Sequence, residues 1–310
     1  MRSAKSILKT VLPRSARRAL DDPCLYHQYP PRPIEIDQPR PPPTDDPPGI
    51  ALVTPCYNHA LFVAATIESV LDQDYPNLCY AVHDGGSTDG SADIIASYAQ
   101  RLRDQRSEPD GGQADAINRG FARTEGEVMG WLNSDDLLLP GTLAYVAWFF
   151  RNNPSFDVLY GHRIIVDEHG LEVGRWSLPR HSPAAFVHSD LVPQETLFWR
   201  RSIWERTGGR IDENYKFALD WDLLLRFERA GARFHRADRF LGAFRTHGQQ
   251  KSIAEWSSTG EAEIERLRAQ RLPGRLQRLC WQLRTNAYCR RMALRGHRAR
   301  PRPDRATRDT

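Results

Sequence analysis

Val128-Met129-Gly130-Trp131-Leu132-Asn133-Ser134-Asp135-Asp136 joins an apolar run to an amide, a hydroxyl and two adjacent carboxylates. Apolar runs of this length read as buried strands of a parallel sheet. Ligands of open α/β sheets bind beyond the carboxyl ends of such strands. Asp135 and Asp136 therefore stand where a metal ion and phosphates are expected. Neighbouring carboxylates repel, and desolvation sharpens the repulsion; a divalent cation relieves it. Taken alone, the pair reads equally as a solvated turn or a helix N-cap before Pro140.

Upstream, the same grammar repeats. A short apolar strand at 50–53 runs into Thr54-Pro55-Cys56-Tyr57-Asn58. Residues 60–71 carry apolar side chains at helical spacing. A second strand, 80–83, ends in Asp84-Gly85-Gly86, and Ser87-Thr88-Asp89 caps a helix over 91–102. After a polar, glycine-rich loop at 107–113 come a helix at 114–122 and the strand at 128–132. Strand–helix alternation predicts an α/β fold, a mostly parallel central sheet flanked by helices with right-handed crossovers. Further on, the expected elements are a helix from 140 or 141 to 152, strands at 158–160, 163–166 and 197–200, a helix at 222–229, and strands at 233–235 and 240–244. Three regions follow: a basic, proline-rich extension (1–48), the main domain (49–255) and an arginine-rich helical tail (256–310).

The 310 residues and net charge of +4 allow one large domain with tails. Five cysteines without metal spacing indicate a reducing compartment and no structural disulfide. No apolar run is long enough to span a membrane. Both ends are basic, which suits either an anionic surface or solvated tails. Leu272, Leu276, Leu279 and Leu283 recur at helical spacing among arginines. Such a stripe lies on an anionic leaflet or packs on the main domain. No dinucleotide-binding glycine motif, Walker loop, zincin motif or nucleophile elbow is present.

The segments TPCYNHA, DGGSTDGS, SEPDGGQADAINRGF and GEVMGWLNSDD, in this order and spacing, resemble family 2 glycosyltransferases of the GT-A fold. The resemblance runs from Ile50 to about Ser252. It implies an inverting, metal-dependent transfer from a nucleotide-sugar, taken as a UDP-sugar with dTDP or GDP as alternatives, to a hydroxyl of a glycan or lipid-linked glycan. It implies Pro55, Tyr57 and Asp84 on the nucleotide, and Gly111, Gly112 and Asp115 beside the donor. Asn133 replaces the first Asp of the family's Asp-x-Asp motif and keeps a place on the nucleotide, since its amide can still bond a ribose hydroxyl, while Asp135 and Asp136 keep the metal position, with Mn²⁺ or Mg²⁺ as the ion. His247 matches a late histidine that reaches the metal or pyrophosphate. Asp220 matches the base that deprotonates the acceptor, with Leu219 where a Glu or small residue is usual. Read as a residue alone, Asp220 also suits an N-cap for a helix starting at Asp222. Gln194 and Trp221 are assigned to the acceptor side or to packing. The resemblance places the protein in the cytoplasm, with peripheral contact at the inner membrane face through its basic ends. It implies no specific nucleic-acid partner. Two rival readings stay open: a nucleotidyltransferase, and a weak paralogue serving as an assembly partner.

Overall fold

The computed structural model describes residues 26–186, 189–248, 259–271, 274, 276–277, 280–281 and 283–287. Among them, ten strands form one sheet. They are β1 (Tyr26–Arg32), β2 (Ile50–Cys56), β3 (Leu78–Asp84), β4 (Asp104–Ser107), β5 (Val128–Trp131), β6 (Leu137–Leu138), β7 (Val158–Val166), β8 (Glu172–Trp176), β9 (Phe198–Arg200) and β10 (Phe234–Arg245). The principal helices are α1 (Val63–Leu71), α2 (Ser91–Ser97), α3 (Gln113–Phe121), α4 (Thr142–Asn152), α5 (Leu219–Arg229) and α6 (Glu261–Arg271).

The strands β4-β3-β2-β5 run parallel, and α1, α2 and α3 lie on the connections between them. Period-2 alternation splits their side chains between two cores. Ile50 and Leu52 join Val63, Ile67, Val70 and Val146 on one side. Ala51 and Val53 join Ile117, Phe121, Trp199 and Leu223 on the other. Register places Cys56 beside Asp84, and Asp84 beside Ser107, so three strand ends align. Burial on both faces is what a parallel sheet requires, and it explains why these strands were legible as apolar runs.

Beyond β5 the sheet becomes mixed. β9 pairs antiparallel with β5 and β7, while β10 lies parallel to β7 and antiparallel to β6. The segments expected as separate strands at 158–160 and 163–166 form one strand, as do those at 233–235 and 240–244. Gly161 permits this. A Cβ there would stand 2.6 Å from Leu241 Cγ and 2.7 Å from the Arg239 carbonyl, so only glycine lets the strands approach.

The ends differ from expectation. The fold begins before residue 49, because β1 pairs antiparallel with β8. Pro30 and Pro31 are tolerated there because β1 is an edge strand. Arg32 and Arg175 close on the buried Glu172 at 2.9 and 2.6 Å, and Tyr29 also bonds it. Gln38 exchanges two hydrogen bonds with the Phe240 backbone at 2.7 and 3.0 Å. At the other end, α6 is packed on the main domain, with Ile264 and Leu267 in its core. Leu276 and Leu283 of the leucine stripe are exposed. Leu272 and Leu279, like the basic residues before Tyr26, lie outside the described residues. Cys56, Cys79 and Cys280 are free thiols. Among the described residues no helix is long and apolar enough to cross a membrane.

Candidate active site

The site is built where β2, β3 and β5 end and where β10 returns. After β2 the chain turns sharply at Asn58, whose φ of 53° is tolerated by its short polar side chain. Asn58 N donates to Ser87 Oγ at 2.7 Å, and Asn58 Oδ1 accepts from Thr88 N at 2.9 Å. Asp89 accepts from Ala60 N at 2.9 Å and Ser91 N at 3.0 Å, and Ser91 Oγ accepts from His59 N at 3.0 Å. The first two strand-end loops are thereby locked together, which leaves the Tyr57 ring 63% exposed at their rim. Pro55 is buried within β2, opposite His83.

Asp84 is buried, and its carboxylate organises the loop after β3. It accepts from Gly86 N at 3.2 Å, Ser87 N at 2.9 Å and Ser107 Oγ at 2.7 Å. The glycine loop carries its own bonds, from Gly112 N to Asp110 at 2.7 Å and from Gly111 N to Asp115 at 2.8 Å. Asp115 in turn pairs with Arg119 at 2.7 Å. Asn133 accepts from Gln113 Nε2 at 2.8 Å and donates to Asp136 at 3.3 Å, which ties the start of α3 to the end of β5.

The adjacent aspartates diverge. Asp136 is buried, and it accepts from the Arg245 backbone N at 3.1 Å as well as from Asn133. Burial first, then the Asp135 and Glu195 charges, push its carboxyl well above the usual range. The expected placing of Asp136 beside Asp135 on a metal is therefore not what the geometry shows. Asp135 points the other way, with Oδ2 3.0 Å from His247 Nε2. This meeting follows from pairing. β6 lies against Gly242-Ala243, so the residues before β6 meet those after β10. Arg245 seals it, donating to the Asp135 carbonyl at 2.9 Å.

His59, which the sequence reading did not single out, completes the cluster. Its ligand atom and those of Asp135 and His247 all lie within 4.8 Å of one another. Burial lowers the His59 pKa despite the opposing Asp135 charge, which favours the neutral, ligand-competent imidazole. A carboxylate and two imidazoles from three chain segments fit a divalent cation. The sequence signal was only a polar residue at a strand end.

Asp220 lies in the first turn of α5, which starts at Leu219 rather than Asp222. The capping position is Ala218, so Asp220 is not the N-cap. Asp220 accepts from Trp221 N at 2.8 Å and lies within electrostatic range of Asp190. Asp222 is buried and pairs with Arg226 at 2.9 Å. Trp221 is 1% exposed and donates to the Phe186 carbonyl at 3.1 Å, so it has no free face for a sugar. Gln194 is also buried, donating to the Trp131 carbonyl at 2.8 Å. Both serve packing in this structure.

A sheet with polar strand ends, a carboxylate–imidazole cluster on one side and an aspartate in the first turn of a helix on the other has the arrangement of a GT-A type nucleotide-binding fold. The family model described as glycosyl transferase family 2 matches residues 51–215, and the chain belongs to that family. A PGL/p-HBAD biosynthesis glycosyltransferase of Mycobacterium bovis is 28% identical over 183 residues, 58% of this chain and 69% of that one. The structure of S. aureus TarS 1–349 in complex with UDP-GlcNAc has a TM-score of 0.57 at 21% identity, covering 72% of this chain and 66% of that one. Mannosyltransferase PcManGT from Pyrobaculum calidifontis, in complex with GDP-Man and Mn²⁺, has a TM-score of 0.56 at 17% identity, covering 93% of this chain and 82% of that one.

Proposed function

We propose that the protein transfers a sugar from a UDP-sugar to a hydroxyl of a glycan or lipid-linked glycan, with inversion at the anomeric carbon. The observation that carries this reading is the convergence of Asp135 and His247, 3.0 Å apart, at the strand ends beside the exposed Tyr57. Tyr57 offers a face to the base, and the glycine loop, without Cβ atoms at Gly111 and Gly112, lets the donor come close to the backbone. Asp220 takes the proton of the acceptor hydroxyl as its oxygen attacks the anomeric carbon in line. The nucleoside diphosphate leaves from the opposite face. Asp135 and His247 would hold a divalent cation, Mn²⁺ or Mg²⁺, which when bound neutralises charge on the departing diphosphate. Support comes from the fold shared with proteins solved with UDP-GlcNAc and with GDP-Man and Mn²⁺.

Two substitutions test the reading. Asp220→Asn is expected to keep UDP affinity and lose transfer about 10²–10⁴-fold. Asp135→Asn is expected to abolish the ion-dependent part of UDP binding, measured by calorimetry with and without Mn²⁺. Normal turnover in the first variant, or unchanged ion-dependent affinity in the second, overturns the assigned role. Release of no nucleoside diphosphate from any sugar nucleotide would favour an assembly partner.

The exposed Leu276 and Leu283 among arginines support peripheral contact with an anionic membrane. A chain ending at Arg271 keeps α6 and is expected to lose flotation with anionic liposomes. Equal flotation of both chains removes the tail from that role.

A further inference from the structure

We infer that His59 is a third protein ligand to the ion, so that the chain binds a transition-metal ion by itself, before any nucleotide, and discriminates against Mg²⁺. The inference rests on the proposed role of Asp135 in ion binding and adds to it the composition of the site. His59 leaves the end of β2, Asp135 the end of β5, and His247 the end of β10. Strand pairing brings together groups that are 76 and 112 residues apart in pairwise order along the chain. The His247–Asp135 separation of 3.0 Å is already that of neighbouring ligands around one ion, about 3 Å for bonds near 2.1 Å.

His59 is held in place for this task. Its Nδ1 lies 2.7 Å from Ser134 Oγ, and Ser134 is buried. With Nδ1 engaged, Nε2 is the nitrogen left for a ligand, and a bond from the far nitrogen is the usual way a ligating imidazole is oriented. The His59 backbone is fixed separately by Ser91 Oγ at 3.0 Å. The two imidazoles stand edge to face with centroids 5.9 Å apart, and the Phe62 ring lies 4.5 Å from His247. One flank of the cluster is therefore lined by the Phe62 ring.

The donor set decides the metal. Mg²⁺ demands oxygen ligands in near-ideal octahedral order and keeps its waters. Imidazole nitrogens favour later first-row ions, and affinity rises from Mn²⁺ toward Zn²⁺. Two imidazoles and one carboxylate also supply enough ligands to hold an ion without phosphate oxygens.

Mn²⁺ uptake by the full chain without nucleotide tests this, followed by the loss of the free-ion electron paramagnetic resonance signal. Wild type is expected to take up Mn²⁺, to release it to Zn²⁺ and to keep it against excess Mg²⁺. His59→Gln is expected to weaken uptake by about tenfold or more, in line with the sensitivity of such sites. Spin-echo modulation from bound Mn²⁺ should show two imidazole nitrogens in wild type, a readout that needs no variant to fold. No uptake without nucleotide, displacement by Mg²⁺, or a single nitrogen in wild type overturns the inference. Loss of uptake in Asp135→Asn with full uptake in His59→Gln defeats His59 alone. Full uptake in Asp135→Asn defeats the underlying reading of Asp135.

Discussion

Asn133 holds two partners of opposite kind. Its carbonyl oxygen accepts from Gln113, and its amide donates to Asp136. A carboxylate at this position could do the first but not the second, because an ionised Asp only accepts. Asp136 and Asp135 already place two acidic groups within reach, and burial holds the Asp136 carboxyl well above its usual range. The amide thus ties the start of α3 to the end of β5. Asn133→Asp is expected to lower stability by about 1–3 kcal/mol, the cost of stranding a buried polar group. Urea unfolding measures it, and unchanged stability would show that the Asp136 contact contributes nothing. His59 shows the opposite case, a residue whose role no local pattern discloses. Nothing in Tyr57-Asn58-His59-Ala60 points to Asp135 or His247. The pairing of β2 with β5 brings Asp135 toward it, and that of β6 with β10 brings His247 to Asp135.

Helix α5 carries Asp220, and its start is completed from outside. Glu263 of α6 accepts from the backbone N–H groups of Lys216, Phe217 and Ala218, each at 2.9 Å. A carboxylate there also sits favourably at the positive end of the helix dipole. Glu263→Ala is expected to cost about 2 kcal/mol and to depress transfer more than UDP binding. Thermal unfolding and separate kcat and UDP affinity measurements check it, and equal losses of both would refute a local effect on Asp220. This clasp was not legible, because Glu261 to Glu265 reads as a solvated charge run. Likewise β4, Asp-Gln-Arg-Ser, carries no apolar pattern and is a strand only because β3 offers it an edge. Strands β2, β3 and β5 were legible for the converse reason, since both of their faces are buried. The polar side chains at those strand ends, Asp84 and Asp135 among them, were legible with them. Trp221 and Gln194 were not, because polarity does not tell which way a side chain points.

At the scale of the whole molecule, buried histidines set the acid limit. His162 accepts from Leu178 N at 3.0 Å through Nδ1, a bond that protonation of that nitrogen would break. Burial drives its pKa down to about 4, and burial does the same to His181. Unfolded histidine titrates near 6.5, so between these values the unfolded chain binds more protons. The stability from neutral histidine is complete above about 6.5 and drains as pH falls toward 4. For His162 the loss approaches about 3 kcal/mol. Melting temperature is expected to fall steeply from pH 6.5 to 4.5, and His162→Gln to flatten the curve; a flat wild-type curve would refute this. The Glu263 clasp has a further bearing, on synthesis. The ribosome makes β2 to β5 by residue 131, His247 much later, and Glu263 later still. Domains form as they emerge, at about 5–20 residues per second. A nascent chain that has not yet been extended past residue 263 therefore holds β2 to β5 but lacks the three backbone bonds that Glu263 makes ahead of α5.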